Sequence, residues 1–187
     1  HTSGAYGGHG LAAAAWCGSQ CLPLYRCENI HFLGKVYYTN LPVGGAYRGF
    51  GATQAFFAME STMDKMAEAI GMDPLKLRQL NHIKSGEGSP VFAALGEGKE
   101  GVPMTVGSCA LGECITKGAA EIGWQNRTDW RTKTGRYRRG IGMACLMQGS
   151  SIPHIDMGGA SIKINEDGSF NLLVGATDLG TGSDTVL

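Results

Sequence analysis

The chain has 187 residues, 30 of them glycine, and its 16 basic and 16 acidic side chains give a formal net charge of zero at pH 7. Such a chain has no overall field to recruit nucleic acid or an anionic membrane, and it contains neither an apolar stretch long enough to span a bilayer nor a signal-peptide pattern. Six cysteines without paired CxxC spacing argue against a zinc site and predict reduced thiols in a cytoplasmic protein. The start without methionine and the apolar end at Leu187 lead us to expect an internal piece of a longer polypeptide.

The first part of the chain is predicted to hold a tightly packed segment followed by one or two strands. Residues 1–22 are rich in glycine and alanine, a composition that favours close packing. Residues 29–40 combine β-branched and aromatic side chains, which is typical of strands. Pro42 ends this run, and a glycine-rich loop follows it.

That loop, GGAYRGFGATQ at residues 44–54, is the most distinctive stretch of the sequence. Its glycines permit a positive φ and a close approach of the backbone to a ligand. Arg48, between Tyr47 and Phe50, presents a fork of donors that suits an oxyanion or a planar ring with heteroatoms. The alternative interpretation is a tight turn with an exposed arginine, and the loop by itself leaves both open.

A long amphipathic helix is predicted directly after the loop, because apolar residues recur there at spacings of three and four. Gly71 is a candidate C-cap of this helix. Asp73 and Pro74 predict the start of a second, short helix, as N-cap and first helical residue. The predicted apolar stripe consists of Phe56, Met59, Met63, Met66 and Ile70, and the predicted polar face of Glu60, Asp64 and Glu68.

The second half of the chain is predicted to begin with a linker and to end in β-structure. Residues 85–107 are polar, glycine-rich and without periodicity, which is typical of a linker. Ser108 is predicted to cap a helix that runs to about Trp124. Near the end, an Asp-Gly pair between two alternating runs indicates a β-hairpin. Strands are predicted at residues 140–148, 159–164 and 169–175.

A second glycine loop, GATDLGTGSDT at residues 175–185, follows the hairpin. Such a loop can offer backbone N–H groups to an anion or a polar ring, but it lacks the lysine of a phosphate loop and the glycine spacing of a dinucleotide fingerprint. Asp178 and Asp184 are expected to accept hydrogen bonds from the loop backbone. The residues alone therefore indicate an α+β protein with two glycine loops able to hold a polar ligand, and they name no reaction.

Three stretches taken together resemble the molybdenum-binding subunit of the xanthine dehydrogenase and aldehyde oxidase family. They are GAYGGHG at residues 4–10, GAYRGFGATQ at 45–54 and GATDLGTGSDT at 175–185, in the order and at about the spacing of the family. The segments at residues 24–42 and 75–81 also match. The resemblance covers nearly the whole chain, and the arginine loop is its most specific part.

The resemblance implies a fold, a domain division and a set of cofactors. The expected fold is α+β, with parts of two molybdopterin-binding domains built from mixed or antiparallel sheets and packed helices. Residues 1–84 would end the first domain, residues 85–107 would be the linker, and residues 108–187 would begin the second. The expected cofactor is molybdenum bound to a pterin, as the cytosine dinucleotide, with Fe–S clusters and FAD on partner subunits or domains to accept electrons.

The resemblance also implies roles for the residues of the first glycine loop. Tyr47 and Arg48 match the aromatic–arginine pair that lies against the molybdenum centre and its pterin. Gly49 would leave clearance for the ligands of the metal. Phe50 matches the aromatic residue that packs on a planar substrate ring.

In the second loop, Gly180, Thr181 and Gly182 match residues that hydrogen-bond the pterin. The family often has glutamine where this chain has Thr181, so a backbone contact is expected there. Neither a catalytic residue nor a direct metal ligand is expected within the 187 residues, because the glutamate base is expected further along the polypeptide. A glycine-rich motif of the site is expected ahead of residue 1, and the isolated piece is therefore expected to be inert.

The implied reaction is hydroxylation of an aldehyde, or of a carbon in an aromatic N-heterocycle, with oxygen from water. Purine-specific relatives carry a substrate-orienting arginine at a position that falls at about Trp16, whereas the first arginine of this chain is Arg26; xanthine is therefore not the favoured substrate. Two alternatives remain: a cofactor-binding segment without activity of its own, and a purine dehydrogenase subunit. The expected partners are a small-molecule substrate and the Fe–S and FAD subunits, without nucleic acid or membrane.

Overall fold

A computed structural model describes residues 1–96, 100–129, 135–149 and 157–187, which divide into two compact units, residues 1–148 and 149–187. The α+β prediction is confirmed, since helices and small sheets occur together. The first unit holds β1 (Thr2–Gly4), α1 (Gly10–Cys21), β2 (Tyr37–Tyr38), α2 (Ala52–Ala69), α3 (Pro74–Asn81), α4 (Pro90–Ala94) and α5 (Leu111–Glu121). The second unit holds β3 (Ala160–Ile164), β4 (Phe170–Val174) and α6 (Ser183–Val186).

Helix α2 confirms the long helix predicted after the glycine loop, but its buried face differs from the predicted one. Met66 and Ile70, predicted on the apolar stripe, are 48% and 60% exposed, whereas Glu60, predicted on the polar face, is 4% exposed. The reason is Arg78 of α3, whose Nε lies 2.7 Å from Glu60 Oε2, because a buried carboxylate is tolerated when it is paired. The buried residues of α2 are Ala52, Phe56, Glu60, Met63 and Ala67.

The C-terminal end of α2 confirms the glycine cap. Gly71 has a φ of +65°, and its N–H donates to the carbonyl of Glu68 at 3.1 Å. The N–H of Met72 donates to the carbonyl of Ala67 at 2.9 Å. This pair of bonds is the Schellman arrangement, which satisfies the last carbonyls of a helix and needs a left-handed residue after it.

Asp73 both caps α3 and holds the segment that follows α5. Its Oδ1 accepts from the Leu75 N–H at 2.8 Å, as predicted for an N-cap. The Trp124 indole N–H donates to the same oxygen at 3.1 Å, and Arg127 Nη2 donates to Oδ2 at 2.7 Å. The Arg127 guanidinium also lies over the Trp124 ring, 4.5 Å from its centroid. One carboxylate therefore ties the start of α3 to the short 3₁₀ turn at Trp124–Asn126.

Acid should weaken this connection. Burial by itself would raise the pKa of Asp73, but the Leu75 N–H, the Trp124 indole and Arg127 together outweigh it and hold the pKa below its usual range. The folded state thus binds the proton less tightly than the unfolded state. The stabilisation is present above about pH 4 and is lost as the pH falls through the lowered folded pKa.

We expect Asp73→Asn, which keeps a capping oxygen and removes the charge, to lower the free energy of unfolding by about 1 kcal/mol at pH 7. The difference between variant and parent should shrink as the pH falls below about 4 and the parent carboxylate takes up a proton at its lowered pKa. Urea unfolding at neutral pH and at a series of acidic pH values measures this. A difference that stays constant through the whole acidic series would show that the charge of Asp73 contributes nothing.

Two predicted strands are largely absent, and the prediction was wrong there. Of residues 29–40 only Tyr37–Tyr38 form a strand, which pairs in parallel with β1. Residues 140–148 form no strand, although Cys145 is buried and its N–H donates to Glu60 Oε2 at 2.8 Å. A strand forms when a neighbouring strand satisfies its backbone groups. Within the described ranges, most residues of these two segments have no neighbouring strand to pair with.

The predicted hairpin near the end of the chain is confirmed in the second unit. Strands β3 and β4 pair antiparallel, with Ala160 opposite Val174 and Ile164 opposite Phe170. The turn between them closes at Gly168, which has a φ of +81°. The hairpin therefore delivers the chain into the second glycine loop, as the sequence indicated.

Residues 85–107, predicted as a linker, contain α4 and several local hydrogen bonds. Ser89 Oγ accepts from the Val91 N–H at 3.3 Å at the start of α4, and the Gly86 N–H donates to the carbonyl of Val106 at 2.7 Å. The division into domains at residues 84 and 108 remains a proposal.

The helix predicted after the linker is present as α5, without its predicted cap. Helix α5 begins at Leu111, so Ser108 lies outside it and does not cap it.

All six cysteines are free, and burial raises the pKa of Cys21 and of Cys145 to about 11. Those two thiols therefore stay protonated near neutral pH. In the part of the chain that the structure describes, no helix is long and apolar enough to cross a membrane.

Candidate functional site

The first glycine loop leads into the N-terminus of α2 and is fixed by its own backbone. The Gly44 N–H donates to the carbonyl of Ser3 at 2.7 Å, which ties the loop to β1. Further along, the Phe50 N–H donates to the carbonyl of Tyr47 at 2.6 Å, and the Ala52 N–H donates to the carbonyl of Gly49 at 2.8 Å. These two turns set the direction of the side chains between them.

The glycine motif at residues 4–10 packs directly against this loop. A Cβ at Gly4, where φ is +68°, would lie 2.0 Å from the carbonyl oxygen of Pro42. A Cβ at Gly8, where φ is +63°, would lie 2.9 Å from that of Gly44. Because only glycine permits such approaches, the two motifs form one continuous surface, which we call the arginine-loop surface (residues 4–10 and 42–51).

Tyr47 and Arg48 project from the arginine-loop surface. Tyr47 is 89% exposed and Arg48 is also exposed. Neither side chain has a hydrogen bond or ion pair with another described residue. A guanidinium carries five N–H donors in a planar fork, so this arginine is available to an anionic or oxygen-rich ligand.

Gly49, Phe50 and Gly51 form a run of left-handed residues, with φ values of +91°, +50° and +96°. A residue with a side chain costs about 1–2 kcal/mol in this region, and such strain recurs at functional sites. A Cβ at Gly49 would lie 2.7 Å from Thr53 Cγ2. The loop itself therefore requires glycine at this position, independently of any clearance for a metal.

Phe50 belongs to a cluster of three aromatic rings. Its ring lies edge-on to that of Trp16, at 6.1 Å between centroids, and edge-on to that of His9, at 6.4 Å. Trp16 comes from α1 and is only 8% exposed. Sequence reasoning treated Trp16 only as a position without arginine and missed the cluster, because the cluster depends on how α1 packs against the loop.

The second glycine loop is organised around Asp178, as predicted. Asp178 Oδ1 accepts from the N–H groups of Gly180 at 2.6 Å and Gly182 at 3.4 Å, and Oδ2 accepts from the N–H of Asp184 at 3.2 Å. The Gly180 N–H first, and then the others, lower the pKa of Asp178, so the carboxylate stays ionised near neutral pH. The prediction for Asp184 was wrong, because it contributes its N–H here.

Asp178 therefore occupies three of the N–H groups that this loop was expected to offer to a ligand, those of Gly180, Gly182 and Asp184. The hydroxyl groups of Thr181 and Ser183 lie 3.1 Å apart and share a hydrogen bond, and both side chains can still bind a polar group. The second loop lies in the second unit, whereas Tyr47–Phe50 lie in the first. Among the described residues, no group of three or more His, Cys, Asp or Glu side chains could hold a metal ion.

Two segments of the chain match family models described as the molybdopterin cofactor-binding domain. The first match covers residues 1–82 and the second covers residues 117–187. The chain belongs to the xanthine dehydrogenase and aldehyde oxidase family of molybdenum hydroxylases. The arginine-loop surface lies within the first match, and the second glycine loop lies within the second.

Similar proteins in this family extend the match to almost the whole chain. The chain is 36% identical over 186 residues to the probable hypoxanthine oxidase XdhD of Escherichia coli K12, covering 99% of this chain and 19% of that protein. It is 37% identical over 188 residues to the putative xanthine dehydrogenase molybdenum-binding subunit XdhA of the same strain, covering 98% and 24%. The crystal structure of the aldehyde oxidoreductase from Desulfovibrio desulfuricans ATCC 27774 matches with 28% identity and a TM-score of 0.69, over 91% of this chain and 18% of that one. The chain thus spans about a fifth to a quarter of the length of its curated relatives.

The residues of the arginine-loop surface fit the molybdopterin cofactor of this molybdenum hydroxylase family. The unpaired guanidinium of Arg48 and the exposed phenol of Tyr47 suit a ligand rich in oxygen and negative charge. The glycines allow the ligand to approach the backbone closely. The second loop fits through the hydroxyl groups of Thr181 and Ser183, since its inward N–H groups are occupied by Asp178.

Proposed function

We propose that this chain is part of the molybdenum-binding subunit of an enzyme that hydroxylates a ring carbon of an aromatic N-heterocycle with oxygen from water. The observation that carries the proposal is the aromatic cluster of Phe50, Trp16 and His9 beside the unpaired Arg48. Flat aromatic side chains bind planar rings through edge and face contacts. The reaction consumes water and releases two electrons and two protons for each hydroxyl group formed.

Molybdopterin, when bound, would supply the oxygen-transfer and electron-accepting chemistry. The residues of this chain would then bind and orient. We assign Tyr47, Arg48 and Gly49 to the cofactor, with the Arg48 guanidinium donating hydrogen bonds to its oxygen atoms. Phe50 would pack on the substrate ring. Residues 180–182 would contribute through the Thr181 hydroxyl and through backbone carbonyls.

An aldehyde is the second candidate substrate. It is favoured by the likeness to the aldehyde oxidoreductase of Desulfovibrio desulfuricans. A purine is a specific heterocycle within our first proposal, and the two E. coli relatives are named for hypoxanthine and xanthine. The first arginine of this chain is Arg26. The chain therefore has Trp16, and not an arginine, at the position from which purine-specific relatives orient their substrate, and this argues against a purine.

We further propose Fe–S and FAD subunits or domains as electron acceptors, and the cytosine dinucleotide form of the cofactor. A reducing compartment such as the cytoplasm suits the chain, because all six cysteines are free and disulfides are rare there. The 187-residue chain by itself would be inactive and would hold no molybdenum, because it spans so small a share of its relatives' length. The alternative function, a cofactor-binding segment without activity of its own, describes the chain in isolation.

Arg48→Ala in the purified enzyme that contains this chain should lower kcat/KM by about 100-fold, because a charge-assisted hydrogen bond to the cofactor contributes up to about 3 kcal/mol. Expression should be unchanged, since the Arg48 side chain holds no other described residue. Activity is measured with purines, nicotinate-type rings and aldehydes. Molybdenum and pterin contents are measured alongside it.

The matched control is Lys65→Ala, which removes another exposed cation without a described partner, on α2 away from the loop. It should leave activity and metal content unchanged. Normal turnover together with a full molybdenum content in Arg48→Ala would overturn the role given to this loop. Failure of the unmodified enzyme to oxidise any compound of the panel would overturn the proposed reaction.

A further inference from the structure

Gln54, the last residue of the motif at residues 45–54, has two side-chain N–H donors without a partner. Its Oε1 accepts a hydrogen bond from the Thr53 hydroxyl at 2.8 Å, and both side chains are exposed. A glutamine amide has one acceptor oxygen and an NH2 group with two donors. Because the oxygen already has a partner, the NH2 group is the part of this amide that is left to bind a ligand.

The amide of Gln79, on α3, is oriented the other way. Its Nε2 donates to the Thr116 hydroxyl at 3.5 Å, so there the NH2 group is the part that contacts the protein. A threonine hydroxyl can donate or accept, and either orientation of a neighbouring amide is therefore possible. In Gln54 the hydroxyl of Thr53 donates, which keeps the two amide donors free.

Thr53 also contacts the arginine loop directly. A Cβ at Gly49 would lie 2.7 Å from Thr53 Cγ2 and 3.5 Å from its Oγ1. The Ala52 N–H donates to the carbonyl of Gly49 at 2.8 Å, so the first turn of α2 packs back onto the residue that follows Arg48. The Gln54 amide and the unpaired Arg48 guanidinium therefore belong to one short turn of the chain.

We propose that Gln54 is a further cofactor-binding residue, whose amide N–H groups donate to an oxygen atom of the anionic molybdopterin, and that Thr53 is a positioning residue that holds the amide in this orientation. The inference rests on the proposed function, because it takes the cofactor to lie against Arg48 and Gly49. It adds an uncharged donor beside the charged one. An oxygen that carries negative charge accepts from both.

Gln54→Glu tests the donors in the whole enzyme, because it keeps the shape of the side chain and replaces the NH2 group by an oxygen that repels an anion. The rate at which molybdenum and pterin leave the purified enzyme, in a fixed low concentration of urea, should rise about tenfold. Helix α2 has no acidic residue in its first turn, and a carboxylate there is favourable for a helix. The cofactor-free protein should therefore unfold at the same urea concentration as the parent or at a higher one.

The matched control is Gln79→Glu, which makes the same change on α3, where the amide contacts Thr116 and not the loop. It should leave the release rate of molybdenum and pterin unchanged. A release rate in Gln54→Glu equal to that of the parent would make Gln54 a solvated surface residue and overturn the inference.

Two replacements of Thr53 separate its hydroxyl from its methyl group. Thr53→Val keeps the methyl contact with Gly49 and removes the hydroxyl, and it should raise the release rate about threefold, the cost of ordering a freed side chain. Thr53→Ser keeps the hydroxyl and removes the methyl group, and it should match the parent. In Gln54→Leu protein neither replacement should change the rate further, because Thr53 acts through the amide.

Faster release in Thr53→Ser with no change in Thr53→Val would overturn the positioning role, since packing of the methyl group would then be what holds the cofactor. Failure of the proposed function gives different results. In that case Arg48→Ala would keep a full molybdenum content and normal turnover, or the unmodified enzyme would oxidise no compound of the panel. If Arg48→Ala loses molybdenum while Gln54→Glu behaves as the parent, the proposed function stands and this inference alone fails.

Discussion

Arg78→Met should lower the free energy of unfolding by about 3–5 kcal/mol, the cost of leaving a buried charge without its partner. The Arg78 side chain is completely buried and Glu60 is 4% exposed. Methionine fills much of the same volume, so the loss reflects charge and hydrogen bonding more than packing. Urea unfolding of the chain measures the effect.

Arg78 is expected to contribute this much because its partner, the Glu60 carboxylate, joins several separate segments of the chain. Its Oε2 accepts from Arg78 Nε at 2.7 Å and from the Cys145 N–H at 2.8 Å, and its Oε1 accepts from the Tyr25 hydroxyl at 2.6 Å. Burial and the neighbouring Glu60 raise the pKa of Tyr25, so its phenol stays protonated and donates. Arg78 Nη1 also lies 2.8 Å from Asp64 Oδ1.

Two controls separate this network from ordinary surface charge. Lys117→Ala removes an exposed ion pair with Glu113 on α5 and should cost about 1 kcal/mol or less. The double variant Glu60→Leu with Arg78→Met removes both buried charges, and it should be more stable than Arg78→Met alone. If Arg78→Met costs no more than Lys117→Ala, the network does not stabilise the fold.

Gly51→Ala should disturb both the fold and the arginine loop. A Cβ at this position would lie 2.3 Å from the carbonyl oxygen of Ala13 and 2.9 Å from the Cys17 Sγ, at a φ of +96°. Since α1 and the loop must move apart to admit the methyl group, we expect a loss of about 2–4 kcal/mol. In the whole enzyme, displacement of Arg48 should also reduce molybdenum content.

Gly71→Ala is the matched control, because Gly71 is also left-handed, with a φ of +65°, but has open space around the added methyl group. It should cost about 1 kcal/mol and leave the molybdenum content unchanged. Equal effects of the two substitutions on stability would show that the contact between α1 and the loop is looser than described. An unchanged molybdenum content in Gly51→Ala would show that the contact between α1 and the loop does not affect cofactor binding.

Local signals in the sequence predicted the elements that depend on neighbouring residues. The cap at Gly71, the N-cap at Asp73 and the hairpin around Gly168 each require only a few consecutive residues. Their geometry was therefore accessible from the sequence. The α+β class followed from similar local patterns, and the family followed from three short motifs taken together in their order along the chain.

Features that depend on distant partners were missed. Glu60 was predicted on the exposed polar face of α2, and this was wrong. Its burial depends on Arg78 and Cys145, which lie in other segments of the chain. The strand predicted at residues 140–148 has the right composition but lacks a pairing strand among the described residues. Similarly, the contact between the rings of Trp16 and Phe50 is a property of how α1 packs against the loop, and no sequence pattern expresses it.

The hydrogen bond between Cys145 and Glu60 also has a consequence for synthesis of the chain on the ribosome. The two residues are 85 positions apart, whereas Arg78 follows Glu60 by only 18. At about 5–20 residues per second, the arginine arrives within a few seconds, and the final donor follows roughly 4–17 seconds after the glutamate. Until then Glu60 Oε2 lacks one of its donors, so a nascent chain stalled before residue 145 should stay sensitive to protease and available to chaperones.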